Sequence, residues 1–268
     1  MIKFSIFALI ALLYTPTLYG NMPIRAERTT QTYTTDQEVS YENGYIPVLV
    51  YHKFATEVAE VDKAFIVQTD LFEQQLLTLI DNGYTPVTML DLAKYLHGLG
   101  GMPDKPFLIT MDDGYLCNYE EAFPVLTKYD IPATYFVIAD LIGDTTYSSY
   151  FDWEQAKEME DSGLIDIQNH TSSHILMDST DCTTAQKEVL HCLREIETHL
   201  GKRDVHALAY PQCLYTDDTI VWLEQIGVDL QFTGIGNDAT CPTNIQRIAV
   251  SSYDSPEKLL RIVNKLCD

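Results

Sequence analysis

Four short stretches of the chain hold side chains capable of hydrolytic chemistry: His52, the pair Asp112-Asp113 before Gly114, the imidazoles His170 and His174, and Tyr210-Pro211. A catalytic divalent metal takes about three nitrogen or carboxylate ligands and keeps one position open for water or substrate. One aspartate and two histidines supply such a set, and the adjacent aspartate stays free to act as a base. Each stretch also has a plainer reading. Asp-Asp-Gly after a strand is equally a tight turn. His170 and His174, which one helical turn would place on one face, are equally two surface histidines. His52 is equally a half-buried histidine satisfied by a single hydrogen bond. Successive side chains on an extended chain point to opposite faces, so both carboxylates reach one cavity only if the chain turns there, which Gly114 permits.

These residues meet only if the elements that carry them share an edge. Ile46 to Tyr51 is an apolar run that reads as a buried strand ending in His52, and Pro106 to Met111 is a second one running straight into Asp112. Asp70 with Glu73 has the form of a capping box, and Phe72, Leu76, Leu79 and Ile80 have helical spacing that stops at Gly83. The alternation continues with a strand at Tyr84–Thr88, a helix at Leu90–His97, a helix at Glu120–Tyr129, a strand at Ala133–Ile138 and a helix at Trp153–Asp161 closed by Gly163. After these come a strand at Leu164–Ile167, a long helix from about Thr184 to Leu200, a strand at Ala207–Tyr210, a helix at Asp218–Ile226 and a strand at Asp229–Phe232. Ser255-Pro256-Glu257 opens a last helix, with Ser as its cap. Strands alternating with helices at this pitch predict an α/β fold with a mainly parallel sheet, closed or nearly closed. In such a fold the carboxyl ends of the strands share one face, and His52, Asp112-Asp113, His170 and Tyr210-Pro211 each follow a strand.

The charge excludes one class of function. With 17 Lys and Arg against 39 Asp and Glu in 268 residues, the net charge is −22, which is incompatible with a basic nucleic-acid binder. A neutral or cationic partner suits this surface better than an anionic polymer or membrane. The 46% hydrophobic and 11% aromatic content predicts a sizeable core, and α/β barrels of about 250 residues fold as one domain. Residues 1–20 have the outline of a secretory signal peptide: Lys3, an apolar run from Phe4 to Tyr14 broken by Ser5, then Pro16 and Gly20. An uncleaved N-terminal signal-anchor is the alternative, and no other membrane span is expected. Either way the bulk of the chain is exported, as a secreted or cell-envelope protein. Residues 21–44 are polar and Thr-rich and read as a linker or arm, leaving 45–268 as one folded domain. Six cysteines in an exported chain predict at least one disulfide, with connectivity unspecified.

Several of these stretches together resemble one family. Thr110-Met111-Asp112-Asp113-Gly114-Tyr115 resembles the T-F-D-D-G-Y motif of the polysaccharide deacetylases, carbohydrate esterase family 4 with its chitooligosaccharide-deacetylase homology domain. His170-Thr171-Ser172-Ser173-His174 resembles the family's H-[ST]-x-x-H motif, preceded by the W-x-Q segment Trp153-Glu154-Gln155. Ala209-Tyr210-Pro211 resembles the third motif, and Val48-Leu49-Val50-Tyr51-His52 resembles the strand that opens the poly-N-acetylglucosamine deacetylase subgroup.

The resemblance implies a distorted (β/α) barrel over 45–268 as the catalytic domain. It also implies a divalent metal, usually Zn2+, held by Asp113, His170 and His174, with Asp112 as catalytic base. The family's C-terminal histidine is lacking, since no histidine follows His206, and the subgroup's strand-end histidine puts the acid role on His52. Gln212 follows the third motif where an aromatic is usual, and the implied oxyanion donor there is its backbone N–H. Tyr210, Tyr115 and Trp153 are substrate-binding candidates, with ordinary core packing as the alternative for Tyr210 and Trp153. Ala209 stands where many members carry an arginine that orients the base. Cys117 and Cys213 follow the first and third motifs and are candidates for pairing.

The implied activity is hydrolytic removal of N-acetyl groups from an N-acetylglucosamine polysaccharide, a reaction at a non-peptide carbon–nitrogen bond. The alternatives are an O-acetyl polysaccharide esterase and a catalytically degenerate sugar-binding module. Specificity would lie in loops such as 143–150 and 237–244.

Overall fold

The structure is a computed structural model that describes residues 46–146, 148–236 and 239–267; the expected signal peptide and Thr-rich arm lie outside the described residues. In chain order the elements are β1 (Val48–Tyr51), β2 (Lys53–Ala55), β3 (Ile66–Gln68), α1 (Thr69–Asp81), β4 (Thr85–Pro86), α2 (Met89–Leu96) and β5 (Pro106–Asp113). A π-helical turn at Asn118–Ala122 leads into α3 (Phe123–Tyr129), β6 (Ala133–Val137), α4 (Trp153–Asp161), β7 (Ile165–Asn169) and α5 (Cys182–Leu200). Then come β8 (Ala207–Ala209), α6 (Asp217–Glu224), β9 (Leu230–Ile235), β10 (Ile245–Ala249) and α7 (Pro256–Cys267).

Strands β1, β10, β9, β8, β7, β6 and β5 are hydrogen-bonded side by side, all parallel, and the pairing of β1 with β5 closes the ring into a seven-stranded barrel. The register sets Leu49 against Ile109, Asp113 against Val137 and Val137 against Asn169. β4 extends the sheet beside the start of β5, and β2 and β3 form a separate parallel pair.

Closure explains why the strands read as apolar runs rather than alternating ones, because both faces of each strand are covered. β5 is buried at every position. Its Leu108 joins Val48, Phe136, Ala207, Ala209, Leu230, Phe232 and Ile245 in the cluster inside the barrel. Phe107, Ile109 and Met111 pack outward with Leu49, Tyr51, Tyr135 and Val137 against the helices. A third cluster lies under α5 and α6, around Val189, Leu208, Tyr210 and Leu223. No helix among the described residues is long and apolar enough to cross a membrane.

The structure corrects several expectations. Helix α1 has Gln68 at its N-cap with no side-chain cap, so Asp70 and Glu73 form no capping box; Glu73 bonds instead to Lys128 at 2.7 Å and to the Tyr129 hydroxyl. The helix expected from Glu120 is entered through the π turn. Cys117, Cys182, Cys192, Cys213 and Cys241 are free. Each sulfur has other company: Cys117 Sγ accepts from the Phe54 N–H at 3.3 Å, Cys192 Sγ donates to the Val137 carbonyl at 3.5 Å, and Cys213 sits beside the Arg247 guanidinium.

Candidate active site

The carboxyl ends of β5 and β7 deliver the acidic pair and the histidines. On β5 the pleat points Thr110 and Asp112 the same way as Leu108, into the barrel, and would send Asp113 outward. The chain defeats that alternation at Asp113 itself, whose φ of 76° is left-handed, with Gly114 following at 82°. A Cβ on Gly114 would stand 3.3 Å from Val137 Cγ1, so glycine serves both the turn and the close approach. Asp113 Oδ1 thereby comes within 3.3 Å of His170 Nε2 and 3.5 Å of His174 Nε2.

The two histidines do not share a helical turn, contrary to the spacing argument. They lie on the irregular segment after β7, where Thr171 and His174 have φ of 68° and 61°. That segment is held from several sides. The His170 N–H donates to the Val137 carbonyl at 2.9 Å, and the Thr171 N–H donates to Asn169 Oδ1 at 2.8 Å. Glu188 on α5 accepts from the hydroxyls of Ser172 and Ser173 and from the Ser173 N–H, each at about 3.0 Å. Of the seven non-glycine residues with left-handed backbone among the described residues, Asp113, Thr171, His174, Gln212 and Cys213 are at or next to this site. Such conformations cost about 1–3 kcal/mol each and persist only where the surroundings over-determine them.

One ligand atom each from Asp113, His170 and His174 lie within 4.8 Å of one another. The other ring nitrogen of buried His170, Nδ1, is 2.7 Å from the Ala209 carbonyl, which can only accept. In the neutral ring that bond leaves Nε2 unprotonated and aimed at the cluster, the arrangement seen around metal-binding histidines; in the cationic ring Nε2 donates to Asp113 instead. Two imidazoles and a carboxylate with ligand atoms this close together fit a divalent transition metal.

Asp112 is committed elsewhere. Its two oxygens take a bidentate ion pair from Arg247 on β10, at 2.7 Å from Nη1 and 2.6 Å from Nη2, with both side chains nearly inaccessible. The guanidinium lies over both the Phe136 and the Phe232 ring, 5.7 and 6.0 Å from their centroids, and donates also to the Thr110 hydroxyl at 3.3 Å. Burial alone would raise the Asp112 carboxyl; the Arg247 charge, with His170 beside it, outweighs burial and holds it below the usual carboxylate range. Asp113 follows the same pattern, with burial overridden by the His170 hydrogen bond and the nearby imidazoles. Arg247 escaped the sequence reading because β10 was not recognised as a strand. The signal was weak: Ile245-Gln246-Arg247-Ile248-Ala249 is a short mixed stretch with Gln and a cation between its apolar residues. It supplies from β10 the guanidinium that Ala209 on β8 lacks.

His52, at the end of β1, is near enough for its charge to bear on Asp112, Asp113 and His174, and its carbonyl accepts from Asn118 Nδ2 at 2.9 Å. Tyr115 is also at the site: its hydroxyl bonds to Asp113, and its ring stacks on Tyr150 with centroids 5.1 Å apart. Gln212 occupies a short turn after β8 with φ of 53°. Two expected substrate contacts are not brought to the cluster. Tyr210 is 1% exposed, packed under α5 and α6 with its hydroxyl on Gln231, so its ring offers no face to a sugar. Trp153, at the start of α4, is stacked on His199 at 4.6 Å with the rings parallel to within 2°.

A closed parallel barrel with paired carboxylates and two histidines at the carboxyl ends of its strands is the architecture of a hydrolase site. Residues 100–230 match the family model for polysaccharide deacetylase, so the chain carries a domain of that family. It is similar to the poly-beta-1,6-N-acetyl-D-glucosamine N-deacetylase of Staphylococcus epidermidis, 29% identical over 250 residues covering 84% of this chain and 86% of that one. It is also similar to YxkH of Bacillus subtilis, 30% identical over 188 residues; that match covers 70% of this chain but only 64% of the relative's length. Among solved structures, the Streptococcus pyogenes deacetylase PplD in complex with acetate superposes with a TM-score of 0.73 at 28% identity, over 81% of this chain and 97% of that one. IcaB from Ammonifex degensii gives the same score and identity over 84% and 97%.

Proposed function

We propose that this chain is an exported, metal-dependent hydrolase that removes N-acetyl groups from an N-acetylglucosamine polysaccharide. The observation that carries this reading is the division of labour between adjacent carboxylates, Asp113 turned to the histidines and Asp112 held by Arg247. Asp113, His170 and His174 would hold the metal, with Zn2+ the natural occupant of such a donor set. When bound, the cation lowers the pKa of water and polarises the amide carbonyl.

The side chains supply the rest. Asp112, kept ionised, takes the proton of the attacking water as its oxygen adds to the carbonyl carbon. The peptide N–H of Gln212 is the candidate donor to the developing oxyanion, and the Tyr115 hydroxyl is a second polar group at the same cavity. His52 delivers a proton to the sugar nitrogen as the carbon–nitrogen bond breaks, so that acetate and an amine leave. The polymer gains positive charge as its new amines take up protons, and a surface of net charge −22 tolerates such a polymer. The names of the S. epidermidis relative and of the acetate-bound S. pyogenes enzyme support a deacetylase, and the apolar run at residues 4–14 supports export.

The test is acetate release by the zinc-loaded chain from β-1,6- and β-1,4-linked N-acetylglucosamine oligomers, beside acetylated xylan. We expect release from an N-acetyl oligomer, none from the Asp112→Asn variant, and bound zinc in both. Release from xylan alone would replace the amide reading with an ester one, and turnover surviving in Asp112→Asn would remove the base assignment.

A further inference from the structure

We infer that Phe65 is a stacking platform for the N-acetylglucosamine unit next to the one being deacetylated, an inference that rests on the deacetylase reading above. Phe65 is 68% exposed, yet its ring stands edge-on to His52, with centroids 6.5 Å apart and planes at 89°. An uncovered aromatic face therefore lies beside the residue assigned to protonate the leaving amine.

The segment that carries this ring, between β2 and β3, is braced. The Lys53 N–H donates to the Phe65 carbonyl at 3.2 Å and the Phe65 N–H to the Asp62 carbonyl at 3.0 Å. From the far end of the chain, the Ser252 N–H donates to the Lys63 carbonyl at 2.9 Å, the Ser252 hydroxyl to the Ile66 carbonyl at 2.8 Å and the Tyr253 hydroxyl to the Glu60 carbonyl at 3.1 Å. These bonds fix the main chain that carries the exposed ring, which is pre-organisation for a ligand rather than packing.

The other aromatics at the site are already used. Tyr115 has Lys53 Nζ over its ring at 4.1 Å and stacks on Tyr150, and the same Lys53 ammonium donates to the Ser148 hydroxyl at 3.3 Å. Among the described aromatics at the site, Phe65 is the one left with a free face. In β-linked glucosamine the ring substituents are equatorial, so each sugar face is a patch of C–H groups that matches an aromatic ring while the hydroxyls stay in water. In the same segment Val61 is 87% exposed, and Tyr253, bonded to the Glu60 carbonyl, is 52% exposed. A chain of net charge −22 disfavours an anionic bilayer as the occupant and accepts a neutral or partly deacetylated, cationic polymer.

The experiment compares wild type, Phe65→Ala and Phe65→Trp on the N-acetylglucosamine pentamer and the single sugar. Phe65→Ala should reduce the pentamer's advantage in kcat/KM over the single sugar by about tenfold, mostly through KM, and Phe65→Trp should restore it. An unchanged advantage overturns the inference, as does an equal loss on both substrates, which would mean that Phe65 acts only by orienting His52. Loss of binding to phosphatidylglycerol vesicles with unchanged pentamer kinetics would make the patch a membrane contact and also overturn it. Calorimetric binding of the pentamer to Asp112→Asn, with and without Phe65→Ala, separates this inference from the deacetylase reading. A weaker Kd there upholds the platform even if wild type releases no acetate, and an equal Kd rejects it whatever the turnover.

Discussion

Removing the Arg247 guanidinium should disable the site without emptying it of metal. Asp112 and Arg247 form a bidentate pair inside the barrel, 4% and 2% exposed at their side chains. Breaking a buried pair by deleting one partner costs about 3–5 kcal/mol, because the survivor is left as an uncompensated charge. Asp112 escapes that cost by taking up a proton: with Arg247 gone, the burial that raises its carboxyl is no longer outweighed by the cation. A protonated Asp112 cannot receive a proton from water. The expected result for Arg247→Ala is a fall in kcat of at least about a hundredfold, equivalent to about 2.7 kcal/mol. KM should change little, because the guanidinium faces Asp112, Thr110 and two aromatic rings. The acid limb of the pH–rate profile should move to higher pH, and Arg247→Lys should recover only part of the rate, since an ammonium cannot reproduce the fork. Added guanidinium ion should rescue Arg247→Ala, and zinc content by mass spectrometry should remain that of wild type. Wild-type kcat in a folded Arg247→Ala protein would refute this account of Asp112.

Three further outcomes follow from the same geometry. His174→Ala should lose zinc affinity by a hundredfold or more, read by calorimetry, and should lose the rise in Tm that zinc gives wild type; that rise corresponds to about 4 kcal/mol when zinc is present at a thousand times its Kd. Gly114→Ala forces a side chain to a φ of 82° with its Cβ 3.3 Å from Val137. It should cost about 1–2 kcal/mol in urea unfolding and weaken zinc binding, because the same turn aims Asp113. Asp254 sits before α7 with Lys258 at 2.8 Å and the Ser251 N–H and hydroxyl at 2.8 and 2.6 Å; burial raises its carboxyl, but these bonds prevail and the net shift is downward. A depressed carboxyl stabilises the fold above its unfolded pKa of about 3.9 and stops doing so as pH falls through the folded value. Asp254→Asn should therefore lower the urea midpoint near neutrality by the equivalent of about 0.5–1 kcal/mol, with the gap to wild type closing below pH 4.

The barrel was legible because closure imposes a strong local signature. Runs such as Pro106 to Met111 are largely apolar since both strand faces are covered, and three of the helices between strands have a readable stop, at Gly83, Gly163 and Gly201. What failed to show were elements too short or too mixed to carry a period: β2 and β3 of three residues each, and β10, whose central position is a cation. An arginine inside a strand looks like surface until its partner is known, and its partner, Asp112, is 135 residues away. The metal-type cluster was legible as residue types and invisible as geometry. Helical spacing suggested how His170 and His174 meet, but the segment uses two left-handed residues instead, which side-chain periodicity does not report. Tyr210 and Trp153 illustrate the converse. Their aromatic character invited a sugar contact, and burial under α5 and α6 for one and stacking on His199 for the other take up the same surfaces.

Two adjacent residues of one type acquire different roles here through backbone geometry before electrostatics. The pleat of β5 alone would bury Asp112 in the barrel and point Asp113 among the outward side chains with Met111. Left-handed backbone at Asp113 swings the second carboxylate back over the barrel mouth toward His170 and His174, while Asp112 stays one level down with Arg247. The neighbours then set the chemistry that the proposed function assigns: a fixed guanidinium keeps one carboxylate ionised and oriented, and the other turns to the imidazoles with which it would hold a metal. Neither role survives exchange of the two positions, because only the first faces the cation on β10 and only the second faces the lone pair that the Ala209 carbonyl frees on His170. Specificity for the reaction is thus written into a single turn of backbone, and Gly114 is the residue that lets the chain make it.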